Sequence, residues 1–86
     1  MATNFDARLG KLLQRRRRLL GLTQQQLGEA VGVRFQQIQR YEAGLNKITA
    51  VRLWTLAGAL DVPISYFFDG LEACRQENAV RRDDRR

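Results

Sequence analysis

Glycine at positions 21, 32 and 44 and proline at position 63 cut the chain into short stretches, and within each stretch apolar residues recur three and four apart. Glycine enters the left-handed region at no steric cost, so each of the three suits the residue that ends a helix. Pro63 suits the first turn of one. No stretch alternates apolar and polar residues between turn signals, so strands are not expected. A chain punctuated in this way is restricted to short helices packed on one another.

The first stretch predicts a helix over residues 4–20. Phe5, Leu9, Leu13 and Leu20 share one face, and Arg8, Lys11, Arg15 and Arg18 line another. Arg16 falls between Leu13 and Leu20, where its stem has to run along the core and its head come free at the edge. Thr23 is an N-cap with Gln26 as its capping-box partner, opening a second helix with Leu27, Ala30 and Val31 on its apolar face. A third begins near Arg34 or Phe35, buries Ile38 and Tyr41 and stops at Gly44. Thr49 caps a fourth, carrying Leu53, Leu56, Ala57 and Leu60, and a short fifth runs from Pro63 through Phe68 to Asp69-Gly70. From Leu71 onward the chain is mostly charged or polar, which predicts a frayed tail over residues 71–86.

The chain has 86 residues, enough for one domain. A core of this size removes only about 60% of the unfolded surface from water, which argues against a deep active-site cleft. Histidine is absent and Cys74 is the single cysteine, so no metal site, cofactor or disulfide is expected, and Cys74 reads as an unreactive tail thiol. No apolar run approaches the ~20 residues of a membrane span and no signal sequence follows Met1, so a cytoplasmic protein without membrane contact is expected. Fifteen Lys and Arg against nine Asp and Glu give a net charge of +6, which favours a polyanionic partner through counterion release.

The informative region is Thr23 to Tyr41. Two short helices cross closely only if a small residue sits at their contact and a residue tolerating positive φ sits in the turn, and Gly28 and Gly32 meet those needs. Leu27, Val31, Val33, Ile38 and Tyr41 then supply the buried side chains, leaving Gln24, Phe35, Gln36, Gln37, Gln39 and Arg40 outward. This is the pattern of a helix-turn-helix, whose second helix enters the DNA major groove.

The runs Gly21-Leu22-Thr23-Gln24-Gln25-Gln26-Leu27, Val31-Gly32-Val33, Ile38-Gln39-Arg40-Tyr41-Glu42-Ala43-Gly44 and Leu60 to Gly70 resemble the Cro/repressor-type (XRE) helix-turn-helix family. The resemblance covers roughly residues 5–70. It implies a five-helix, all-α DNA-binding domain acting as a homodimer on a near-palindromic double-stranded operator. It also implies that Arg17 pairs with Glu42, a structural role, and that Thr23 and Gln24 clamp the DNA backbone. Two positions depart from the family: Arg34 replaces a small N-cap residue, and Phe35 stands where a polar base-contacting residue is frequent.

Gln36 and Gln37 lie in the first turn of the third helix, where an amide can pair with adenine N6 and N7; otherwise they are ordinary solvated surface. Arg40, one turn later, reaches guanine or a phosphate. Phe35 either touches a thymine methyl or packs back on the second helix. Thr23 and Gln24 open the second helix, whose free N–H groups attract phosphate. Asn46 and Lys47 in the following loop, with Arg34, are expected at phosphates as well. Trp54, Tyr66, Phe67 and Phe68 are expected in the core and at a subunit contact, with Ile64, Tyr66 and Phe67 as the dimer residues.

The function expected is a sequence-specific DNA-binding transcriptional regulator of repressor or controller type, without catalysis. The competing expectation is an antitoxin-like or adaptor interaction module that binds DNA secondarily and engages a protein partner through its C-terminal tail. Sequence-selective binding of a short duplex by the isolated chain separates the two.

Overall fold

Four α-helices, α1 (Asn4–Leu19), α2 (Gln24–Val31), α3 (Phe35–Glu42) and α4 (Ala50–Ala59), are followed by a single 3-10 turn, Ile64–Phe68. They come from a computed structural model that describes residues 4–69; Gly70, Cys74 and the tail expected over 71–86 lie outside the described residues. No strand occurs among the described residues. The expected fifth helix is only this 3-10 turn. Its bonds span three residues, from the Tyr66 N–H to the Pro63 carbonyl at 2.9 Å and from the Asp69 N–H to the Tyr66 carbonyl at 3.3 Å, in place of the i to i−4 bonds of an α-helix.

The helix boundaries follow local chemistry. Thr23 Oγ1 accepts from the Gln26 N–H at 3.0 Å while Gln26 Oε1 accepts from the Thr23 N–H at 2.8 Å, a complete capping box. Thr49 Oγ1 caps α4 by accepting from the Arg52 N–H at 3.1 Å. Gly32 closes α2 in the left-handed conformation at φ 78°. Gly28 carries the close approach: a Cβ there would stand 2.5 Å from the Val33 carbonyl oxygen, so any larger residue would push the turn away from α2.

The buried face of α1 differs from the expected one. Phe5 and Leu20 are 44% and 41% exposed, whereas Asp6, Leu9, Gly10, Leu13 and Arg17 form the inward line. The reason is the end of α3. A Cβ on Gly10 would lie 2.5 Å from the Tyr41 carbonyl oxygen and 2.6 Å from that of Glu42, so the two backbones meet at Gly10 and turn α1 onto a seam with polar ends. Arg16 does lie along the edge of the core, and its head is held there. Its Nε donates to the Leu60 carbonyl at 2.9 Å and its Nη2 to that of Asp61 at 3.3 Å, satisfying carbonyls left over at the end of α4.

Leu9, Leu13, Leu27, Val31, Ile38, Tyr41, Leu53, Leu56, Ala57, Leu60 and Phe67 make one core. Phe67 is fully buried within the protomer, so it is unavailable to a subunit contact; it fills the space between α1 and α4 that the 3-10 turn closes over. Tyr66 is half-buried, stands edge-on to Phe67 with ring centroids 5.2 Å apart, and donates its hydroxyl to the Leu12 carbonyl at 3.0 Å. Trp54, in contrast, is 68% exposed and takes no part in the core.

What joins α1, α2 and α3 is a buried carboxylate. Glu42 Oε2 accepts from Arg17 Nε at 2.6 Å, and its Oε1 accepts from Arg17 Nη2 at 3.0 Å, Gln24 Nε2 at 3.0 Å and Gln14 Nε2 at 3.3 Å. Arg17 Nη1 donates onward to the Leu22 carbonyl at 2.8 Å, in the loop before α2. The paired side chains are 9% and 2% exposed, so neither charge has water to fall back on. Removing one partner strands the other, and Arg17→Ala or Glu42→Ala is therefore expected to cost about 3 kcal/mol or more. Because both lose the same interaction, the double mutant should cost less than their sum, and strict additivity in urea unfolding would contradict the coupling.

Candidate nucleic-acid interface

The outward face of α3 is polar. Gln36, Gln39 and Arg40 are exposed, Gln37 is half-buried, and Arg34 stands exposed at the N-cap position without a side-chain cap bond. Among the described residues no bond ties the Gln36 amide. Gln37 and Arg40 are joined instead: Arg40 Nε donates to Asn46 Oδ1 at 3.1 Å, and Asn46 Nδ2 donates to Gln37 Oε1 at 3.3 Å. Asn46, expected at a phosphate, thus links two residues of α3 across the loop that leaves it.

Phe35 is 41% exposed and lines a shallow depression with Gln25 and Glu29 of α2 and with Gln36. On the other side of α3 a second depression is lined by Val33, Arg34, Gln36, Gln37, Tyr41 and Arg52, with Arg52 held by a bond from its Nη1 to the Val31 carbonyl at 3.1 Å.

At the start of α2 the capping box occupies the Thr23 hydroxyl oxygen and leaves the N–H groups of Gln24 and Gln25 without an intrahelical partner. The Gln24 amide is turned inward to Glu42, so its side chain serves the frame that holds α2 against α3. Lys47 pairs with Asp6 at 3.2 Å, with the lysine side chain 80% exposed and the carboxylate 10%. Its ammonium group is therefore at the surface beside the start of α1. Lys11, Arg15 and Arg18 of the expected basic stripe are exposed, and Arg8 is half-buried.

Several of these residues could not be singled out from the sequence. Gln14 and Arg52 look like ordinary helix polar residues, and the Lys47–Asp6 and Asn46 contacts join positions with no periodic relation. Trp54 did leave a signal. It follows Leu53 directly, and one residue turns the helix by about 100°, away from the line of Leu53, Leu56, Ala57 and Leu60. It now lines an apolar groove with Gly58, Val62, Pro63 and Ile64, near exposed Val51 of the same helix.

No helix among the described residues is long and apolar enough to cross a membrane. The family model described as Helix-turn-helix matches residues 13–67, which includes both α2 and α3 and reaches to Phe67. The chain is 52% identical over 69 residues to a transcriptional regulator in the ATPase CF(0) region of Rhodospirillum rubrum, covering 80% of this chain and 64% of that protein. It is 45% identical over 65 residues to an HTH-type transcriptional regulator of Sinorhizobium medicae, covering 76% of this chain and 47% of the relative. The chain thus spans about half to two thirds of the length of these relatives. Among solved structures, the restriction-modification controller protein C.AhdI from Aeromonas hydrophila superposes with a TM-score of 0.70 at 27% identity, over 72% of this chain and 94% of that one. The clp gene regulator ClgR from Corynebacterium glutamicum shares the fold, with a TM-score of 0.77 at 20% identity, over 96% of this chain and 88% of that one. With its capped α2, its glycine-closed turn and its polar α3, this chain belongs to the Cro/repressor-type (XRE) helix-turn-helix family of DNA-binding transcriptional regulators.

Proposed function

We propose that the protein is a sequence-specific regulator that lays α3 in the major groove of duplex DNA, works as a homodimer on a near-palindromic operator in the cytoplasm, and carries out no catalysis. The observation that carries this reading is the exposed amide and guanidinium face of α3, held at a fixed angle to α2 by a buried network that uses none of Gln36, Gln37 or Arg40. A rigid helix bearing side chains that can reach base edges is what direct readout in the major groove requires. Gln36, Gln37 and Arg40 read bases in this arrangement, with Phe35 supplying apolar contact to a thymine methyl. Thr23, the free N–H groups of Gln24 and Gln25 that open α2, Arg34 and Lys47 position the protein on phosphates, while the Asn46 side chain stays with Arg40 and Gln37.

Dimerisation assigns a use to the apolar groove. Trp54 is too large and too exposed to be accounted for by the protomer's own packing, and Ile64 lies beside it. Ile64 and the half-buried Tyr66 stay in the proposed contact, and Trp54 joins them.

Binding to a duplex selected from random sequence tests the reading. If the dimer neutralises about six phosphates, log K should fall against log salt with a slope of about −5. Gln36→Ala should relax preference at one base pair of each half-site, a loss of about 1 to 3 kcal/mol in discrimination. Lys47→Ala should weaken all sequences alike and lower the salt slope by about one. A salt-independent affinity, or an unchanged preference in Gln36→Ala and Gln37→Ala together, contradicts it. For the dimer, Trp54→Ala should raise the dissociation constant about tenfold or more, as for a buried aromatic anchor. Sedimentation equilibrium that shows no difference from wild type would remove Trp54 from the interface.

A further inference from the structure

We infer that Asn46 sets which base Gln37 reads, by fixing the orientation of the Gln37 amide. This rests on the proposed placement of α3 in the major groove and concerns a residue outside α3. An arginine side chain only donates hydrogen bonds. The Asn46 atom facing Arg40 Nε at 3.1 Å is therefore the oxygen Oδ1, which turns the amide nitrogen Nδ2 to the opposite side. That nitrogen only donates, so the Gln37 atom facing it at 3.3 Å is the oxygen Oε1, and Gln37 Nε2 is directed away. The charge on Arg40 thus imposes a polarity along the row Arg40, Asn46, Gln37.

The consequence is chemical selectivity. An unrestrained glutamine amide offers one donor and one acceptor side by side and suits adenine, whose N7 accepts and whose N6 donates. With its oxygen held by Asn46, Gln37 offers N–H donors, and the complementary edge is guanine, where N7 and O6 both accept. Gln36, whose amide is not tied among the described residues, keeps the adenine pairing. The Arg40 guanidinium keeps its two Nη groups for the DNA while its Nε is occupied. Two adjacent glutamines that look equivalent in the sequence are therefore given different preferences by one loop asparagine.

Asn46→Asp distinguishes this from a simple phosphate contact. A carboxylate still accepts from Arg40 but cannot donate, so Gln37 must rotate to present Nε2 to it and turn Oε1 outward. Binding profiles of the full chain on a duplex library, randomised at the operator and measured at fixed salt, are compared for wild type, Asn46→Asp, Asn46→Ala and Gln37→Ala. Far-UV circular dichroism and thermal melting of each variant check its fold. At the base pair where Gln37→Ala loses preference, wild type should favour guanine over adenine by about tenfold. Asn46→Asp should invert that preference, and Asn46→Ala should reduce it to about twofold or less. If Gln37→Ala alters one position but both Asn46 variants keep the wild-type base there, the relay is overturned and the groove reading stands. If Gln37→Ala leaves the whole profile unchanged, Gln37 reads no base, and the inference falls with that part of the proposed function.

Discussion

A carboxylate with almost no access to water, that of Glu42, decides how the first three helices meet. It is the last residue of α3, and its two oxygens take four N–H donors from α1 and α2. A buried charge is costly unless its lone pairs are filled, so the folded state that fills them is strongly selected over nearby packings that do not. The apolar core drives the collapse, and this polar junction specifies the angle. The exposed side of α3 then inherits a fixed direction, although none of its own side chains is spent in fixing it.

Glycine supplies the second constraint. At Gly10 and Gly28 the backbone of a neighbouring segment passes so near that a methyl group has no room. These approaches bring α1 against the end of α3 and α3 against the end of α2, and they let an 8-residue helix be held from two sides. The short helices have little stability of their own, so tertiary contacts of this sort are what keep them formed. A recognition surface on such a helix is rigid because its back is crowded.

Local chemistry was legible in the sequence wherever it was complete within a few residues. The Thr23 and Gln26 capping box, the glycine that ends α2 and the line of Leu53, Leu56, Ala57 and Leu60 all follow from spacing. Facing was legible only in part. Phe5 and Leu20 belonged to a plausible apolar stripe, but the approach of α3 at Gly10 rotated α1 so that Asp6 and Arg17 took the inward ends. The aromatic residues near the C-terminal end exchanged roles for a related reason. Phe67 closes a gap that exists only once the 3-10 turn lies across both α1 and α4, whereas Trp54 sits about 100° from the core line of its own helix. The Arg17 and Glu42 pair came from family resemblance and not from spacing, since 25 residues separate them. Asn46 was expected at a phosphate from its place in the loop, but its bonds to Arg40 and Gln37 had no signature, because they depend on the loop folding back over α3.

Placement of α3 in the major groove, as proposed, is open to groove-specific chemical interference. In duplexes selected by the protein, methylation of guanine at N7 places a group on the major-groove edge without altering the minor groove. With α3 in the groove, such methylation should block binding at positions clustered in two patches, with centres about 10 bp apart as a two-fold symmetric helix-turn-helix dimer requires. Binding that tolerates N7 methylation throughout the site, yet is lost when a minor-groove ligand is bound, would contradict it.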